Sequence, residues 1–360
     1  MAIDPDLVPI LTDLQSQLDA ISGGVPGPPG PQGEPGPPGP QGEPGPAGPP
    51  GSGGGGGLPF TMYGPHTSAA TVNDTIAEMW QARGGGWIIL EGPQTPERPY
   101  VLAPGVRLWA GSMPMLYDKT WTRVTPQYSN DAVFVIDDGK PDKRQPWGAS
   151  QLDGFQIDAQ TPGLTAVSLI GGNGSEVNNV TSTHGKYPLE YGLLVDQGRP
   201  HDGQYSTFNR LRFTRVKHAF SMLKSAPDCS LVDSMGYCGD ITGSTGLDIR
   251  SGSNNWTIDR LSCQFVDMGY TIDSKENLIT GGQWENRNGQ TQWASYAFKV
   301  GGSCRDLTVR SMSFANLSSI DRVFVLDAAA RDYTFQYLSG HVQARDVPPG
   351  GDPHFVWHQA

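Results

Sequence analysis

Six carboxylates in the second half of this 360-residue chain have the chemistry of acid–base catalysis: Asp233, Asp240, Asp248, Asp259, Asp267 and Glu285. Cleavage of a glycosidic bond needs two of them, about 5 Å apart for retention or roughly 6.5–9.5 Å apart for inversion. No DxxD, ExxE or GxSxG pattern singles out a pair. Aspartate is also what tight turns use for local hydrogen bonds, so no catalytic residue is assigned. His184, His201, His218, His341, His354 and His358 make no ligand set, and Cys229, Cys238, Cys263 and Cys304 contain no CxxC pair. Neither a metal nor a cofactor is expected. The stretch from Gln283 to Tyr296 has a different chemistry. It reads as a polar loop with Trp284, Glu285, Trp293 and Tyr296 among amides. Aromatic faces stack on the C–H faces of sugar rings while amides and carboxylates bond the hydroxyls, so these four are glycan-binding candidates. Trp147, in the loop from Lys140 to Gly148, is a fifth. The competing reading packs these aromatics between subunits or over an edge of the fold. Trp87, Trp109 and Trp256 sit in strand patterns and read as structural.

The elements that must position these residues are short strands. From Trp87–Leu90, Tyr100–Leu102 and Val106–Trp109 onward, apolar or alternating runs follow one another with only Gly, Asn, Asp and Ser turns between them. They include Ala132–Ile136, Gly154–Asp158, Ala166–Ile170, Tyr191–Val195, Arg210–Phe213, Gly246–Ile249, Trp256–Ile258, Ala297–Val300, Asp306–Val309 and Arg322–Leu326. Phrases opening on Asn178-Asn179, Asn209-Arg210, Asn255-Trp256, Asp306-Leu307 and Asp332-Tyr333 recur at roughly 20–30 residues or twice that, the period of a β-solenoid turn. One helix is expected, residues 72–83, capped by Thr71 and stopped by Gly84-Gly85-Gly86, with Val72, Ile76, Met79 and Trp80 on one face.

Upstream the composition changes. Glycine falls at every third position from Gly24 through Gly27, Gly30, Gly33, Gly36, Gly39, Gly42, Gly45 and Gly48, and twelve of residues 24–50 are proline. That is the pattern of a collagen triple helix, in which only glycine fits at the shared axis. A single chain cannot use axial glycines, so residues 24–51 predict a homotrimer and a rod of about 80 Å. A monomeric proline-rich linker has no reason to keep the phase. Leu7, Leu11, Leu14, Leu18 and Ile21 are spaced 4, 3, 4, 3 and form a heptad seam within residues 1–23. Two heptads suit a trimeric clamp in front of the rod, or an attachment helix. Residues 52–57 are a glycine hinge, and residues 58–360 are the head.

The run from Thr71 to Gly111 resembles the start of pectate-lyase-like right-handed β-helices, a group that includes phage tailspikes. Trp87–Leu90, Tyr100–Leu102 and Gly105–Gly111 match a buried strand, a Tyr-bearing strand and a glycine-bounded strand of that pattern. The insert EGPQTPERP departs from it. The resemblance implies an all-β head, a right-handed parallel β-helix. With the coil and the collagen repeat, the whole chain resembles phage tail fibre or minor tail proteins. That resemblance implies a virion component that contacts other tail proteins through its N-terminal segment and a host cell-surface glycan through its head. A glycan depolymerase and a purely structural tail component are the alternatives on the same scaffold.

Net charge is −11 with no basic stripe, so nucleic acid is not an expected partner. No apolar run approaches the ~18 residues of a membrane span, and the N-terminus lacks the features of a signal peptide.

Overall fold

The computed structural model describes residues 60–111, 122–137, 149–196, 203–224, 226–286, 296–315, 322–340 and 355–357. All belong to one compact unit, Gly56–Ala360. The heptad seam, the collagen repeat, the glycine hinge, Trp147 and Trp293 lie outside the described residues.

The head is a β-solenoid in which every strand pairing is parallel. Its strands stack as three ladders. Ladders one and two are the two halves of an 18-stranded sheet, and ladder three is a separate 9-stranded sheet whose strands mark nine turns. Ladder three consists of Tyr100–Leu102, Ala132–Ile136, Thr165–Leu169, Leu189–Asp196, Val216–Lys224, Thr245–Ile249, Met268–Ile272, Tyr296–Val300 and Arg322–Leu326. One turn takes 34 residues where Tyr100 pairs with Phe134 and 23 where Leu247 pairs with Tyr270. The expected solenoid and its period are therefore present.

Register turns the alternating pattern into columns of like side chains. Inside ladder one the column runs Ile88, Leu108, Leu152, Val177, Phe208, Leu231, Ile258, Ile279, Val309 and Phe335, all fully buried. Each such side chain contributes about 1.5–3 kcal/mol of transfer free energy. Inside ladder three, Tyr270 and Phe298 stack at 4.8 Å with their planes 4° apart. Because no chain has to cross the interior, each turn needs only its neighbours above and below to bury this face.

Between ladders one and two the chain turns on a left-handed residue in each of eight turns. These are Gly154, Asn179, Arg210, Asp233, Arg260, Gly281, Ser311 and Tyr337, the non-glycines at φ 49–57°, and Gly281 is followed by a second positive-φ glycine, Gly282. Left-handed φ costs a non-glycine about 1–2 kcal/mol. The cost is offset by a repeated bond: the N–H of Asn179, Arg210 and Asp233 donates to the carbonyl of Asn209, Val232 and Asp259 on the next turn, 3.0 Å in each case. A second left-handed corner precedes ladder one at Asn255, Asp306 and Asp332. The Asn- and Asp-opened phrases of the sequence thus mark two different corners.

One helix occurs among the described residues, α1, Ala69–Arg83. It starts three residues before the expected 72–83, and its cap is Ser68, whose Oγ accepts the N–H of Thr71 at 3.1 Å. The reason lies in the insert. Glu97 reaches back to accept the N–H groups of Ala69 and Ala70 at 3.1 and 3.0 Å, satisfying the first-turn donors. Desolvation raises the Glu97 pKa, but those backbone bonds and Arg98 outweigh it and hold it below the usual value. Gly84, at φ 69°, ends the helix by donating to Trp80 O at 3.0 Å. Val72, Ile76 and Met79 face the solenoid and close its first turn.

Candidate functional site

Ladder three bends at each strand. Two consecutive residues point inward, and the first of each pair is small over most of its length: Ala166, Gly192, Ala219, Gly246, Gly269 and Ala297. The bend leaves two outward columns. One runs Ala132, Thr165, Tyr191, His218, Thr245, Met268 and Tyr296; the other runs Val135, Ser168, Leu194, Ser221, Asp248, Thr271 and Lys299. This outer face is polar yet shielded. Thr165, Ser168, Ser221, Thr245, Asp248 and Thr271 are all buried.

Over its second to fourth rungs the face holds an open groove of about 400 Å³. The second rung contributes Asn130, Asp131 and Ala132, the third Gly163, Thr165 and Ser168, and the fourth Glu190, Tyr191 and Leu194. The Tyr191 ring stacks on the His218 ring one rung on, at 4.9 Å and 27°. Glu190 accepts from Lys217 Nζ at 2.8 Å and lies 3.9 Å from His218 Nε2. His218 Nδ1 sits 3.2 Å from Thr245 Oγ1. Burial pushes the His218 pKa down, opposed by the Glu190 carboxylate. Further along, Arg250 holds Asp248 through Nε at 2.6 Å and Nη2 at 2.8 Å. The Tyr296 hydroxyl bonds Thr271 Oγ1 at 2.6 Å, and burial raises its pKa. Rungs repeat every ~4.8 Å, so this face offers hydroxyls, carboxylates and ring faces at a regular interval.

The sequence candidates divide. Tyr296 lies on this face. Glu285, half-buried, points outward from ladder two. Trp284 is a correction: it is fully buried, in register between Cys263 and Phe314 in the interior column of ladder two. Gly269 makes room for it, since a Cβ there would come 2.6 Å from the indole Nε1. An interior indole cannot stack on a sugar. Trp256 is fully buried, as its strand pattern implies.

The carboxylates scatter. Asp233 and Asp259 both bond Arg260 at the corner between ladders one and two, and the Arg260 hydrogen bond lowers the Asp233 pKa. Asp240 is exposed, 3.9 Å from Arg215. Asp267 accepts the Gly243 N–H at 2.6 Å. Among the described residues no group of three or more His, Cys, Asp or Glu could hold a metal. Nor is any described helix long and apolar enough to cross a membrane.

Sequence reasoning missed Glu190, Tyr191 and His218 as a group. Tyr191 was visible as a strand residue, but its pairing with His218 appears only through the register.

No family model matches the chain, and no curated protein sequence matches it. Among solved structures it is similar to ORF18 of Geobacillus virus E2, with a TM-score of 0.48 and 10% identity over 76% of this chain. The match spans 60% of that protein's length.

Proposed function

We propose that this chain is a homotrimeric fibre of a phage tail whose solenoid head binds a host cell-surface glycan along the outer face of ladder three. The observation that carries the reading is the groove at Tyr191. It pairs a stacked aromatic edge with Glu190, Asp131, Asn130 and the hydroxyls of Thr165 and Ser168. Sugars present alternating C–H faces and hydroxyls, and this lining answers both. The collagen-type repeat supports three chains per fibre. Three linked heads convert weak single-site binding into avidity, by a factor of about 10²–10⁴ when the sites can engage together. The N-terminal segment then serves as the attachment to other tail proteins, and the rod as a spacer.

The test is a panel of bacterial surface glycans immobilised and probed with the full chain and with Tyr191→Ala. Binding to at least one glycan, weakened tenfold or more by Tyr191→Ala, is expected. Equal binding by both proteins would remove the groove from the account. Release of a shortened glycan would replace recognition by depolymerisation.

A further inference from the structure

The outer face of ladder one changes character along the solenoid. Its first turns are apolar. Phe60 and Met62 are 59% and 51% exposed, and they pair in register with the half-buried Trp87 and Ile89. Trp87 and Ile89 in turn pair with Arg107 and Trp109. Trp87 and Trp109 meet edge to face at 4.6 Å, and the Arg107 guanidinium lies 4.4 Å over the Trp87 ring. From the next turn the same two columns are mainly polar: Gln151, Glu176, Thr207 and Ser230 in one, Asp153, Asn178, Asn209 and then Val232 in the other. A solvated face has no use for Phe, Met, Ile and two Trp gathered at one end. A sugar platform needs more hydrogen-bonding groups than Arg107 supplies.

We propose that this patch is where the heads of three copies of the chain meet, an inference that rests on the trimer reading above. The covalent connection argues for a second copy as the occupant. Phe60 lies nine residues beyond Gly51, the end of the collagen register. A glycine-rich tether of that length spans about 17 Å root-mean-square. Three copies of the patch are therefore delivered close together, at an effective concentration in the millimolar range. Even a contact with a Kd of about 1 mM is then substantially occupied, so a patch of this size suffices.

The experiment uses the full chain with Met62→Cys, and Thr257→Cys as the control from the polar part of the same face. The four native cysteines are buried, and burial raises their pKa values, so they do not compete for the reagent. Solution mass is measured first, then maleimide labelling rate, then cross-linking by a short bis-maleimide. The expected result is a trimeric mass, labelling of Met62→Cys at least tenfold slower than Thr257→Cys, and covalent dimers and trimers from Met62→Cys. A trimeric mass with equal labelling rates overturns the interface and leaves the trimer standing. Slow labelling without cross-links also overturns it, because the chain's own segments then cover the patch. A monomeric mass overturns the trimer itself.

Discussion

Replacing Trp284 by Ala and by Phe separates a core indole from a sugar-stacking one. The side chain is fully buried between Cys263 and Phe314. A buried Trp removes about 150–250 Å² from water. At about 25 cal/mol/Å² this gives roughly 4–6 kcal/mol, and measured Trp→Ala losses in cores run at about 3–5 kcal/mol. For a head of about 300 residues, with roughly 2.1 cal/mol/K of unfolding entropy per residue, that lowers the thermal midpoint by about 5–8 °C. Trp284→Phe behaves differently. Among the described residues the buried indole Nε1 has no hydrogen-bond partner, a cost of about 1–3 kcal/mol that Phe does not incur. The smaller ring forfeits a similar amount of contact, so the net change is within about 1 kcal/mol. Differential scanning calorimetry of the full chain follows the head transition in both variants, with glycan binding measured in parallel. Trp284→Ala that melts like the wild type but no longer binds glycan would refute the argument and return Trp284 to the surface.

Three further outcomes follow from the same geometry. Gly269→Ala places a Cβ 2.2 Å from the Ala297 carbonyl oxygen, a backbone atom held by the ladder, and should cost about 1–3 kcal/mol or more by calorimetry. Glu97→Gln weakens the acceptors for the first two N–H groups of α1 and should cost about 1 kcal/mol at pH 7. Because the folded Glu97 pKa is lowered, its stabilisation is complete above the unfolded pKa near 4.5 and is lost as pH falls through the folded value; Glu97→Gln removes that dependence. His218 also has a depressed folded pKa, so the native state resists protonation. Stability is then full above the unfolded pKa near 6.5 and falls as pH drops through the folded value, and His218→Asn flattens that part of a pH–stability profile.

Much of the head was legible because alternation and register coincide. Tyr100–Leu102, Ala132–Ile136 and Arg322–Leu326 begin and end where the sequence places them. Asn and Asp marked some of the left-handed corners, but Arg210, Arg260, Ser311 and Tyr337 carry no such signal, and nothing in the sequence separated the two corners. Trp284 was misread for a specific reason. Gly281-Gly282 looks like the end of a strand, but the strand Leu278–Asn286 runs through that pair and carries Trp284 into the interior of ladder two. The helix start was invisible locally because Glu97, its second cap, lies 27 and 28 residues downstream of the amides it serves. The groove depends on which of three faces each strand presents, and only the stacking of turns decides that. Tyr191 and His218 are 27 residues apart in sequence and 4.9 Å apart between ring centroids.

The most direct test is to locate a bound saccharide. A crystal structure of the full chain with a glycan selected from the binding panel places the sugar on one face of the solenoid. A ring against Tyr191 is expected, with its hydroxyls bonded to Glu190, Asp131 or Asn130 and the chain running along ladder three toward Tyr296. A sugar bound on the outer face of ladder one or two, with the groove at Tyr191 empty, would contradict it.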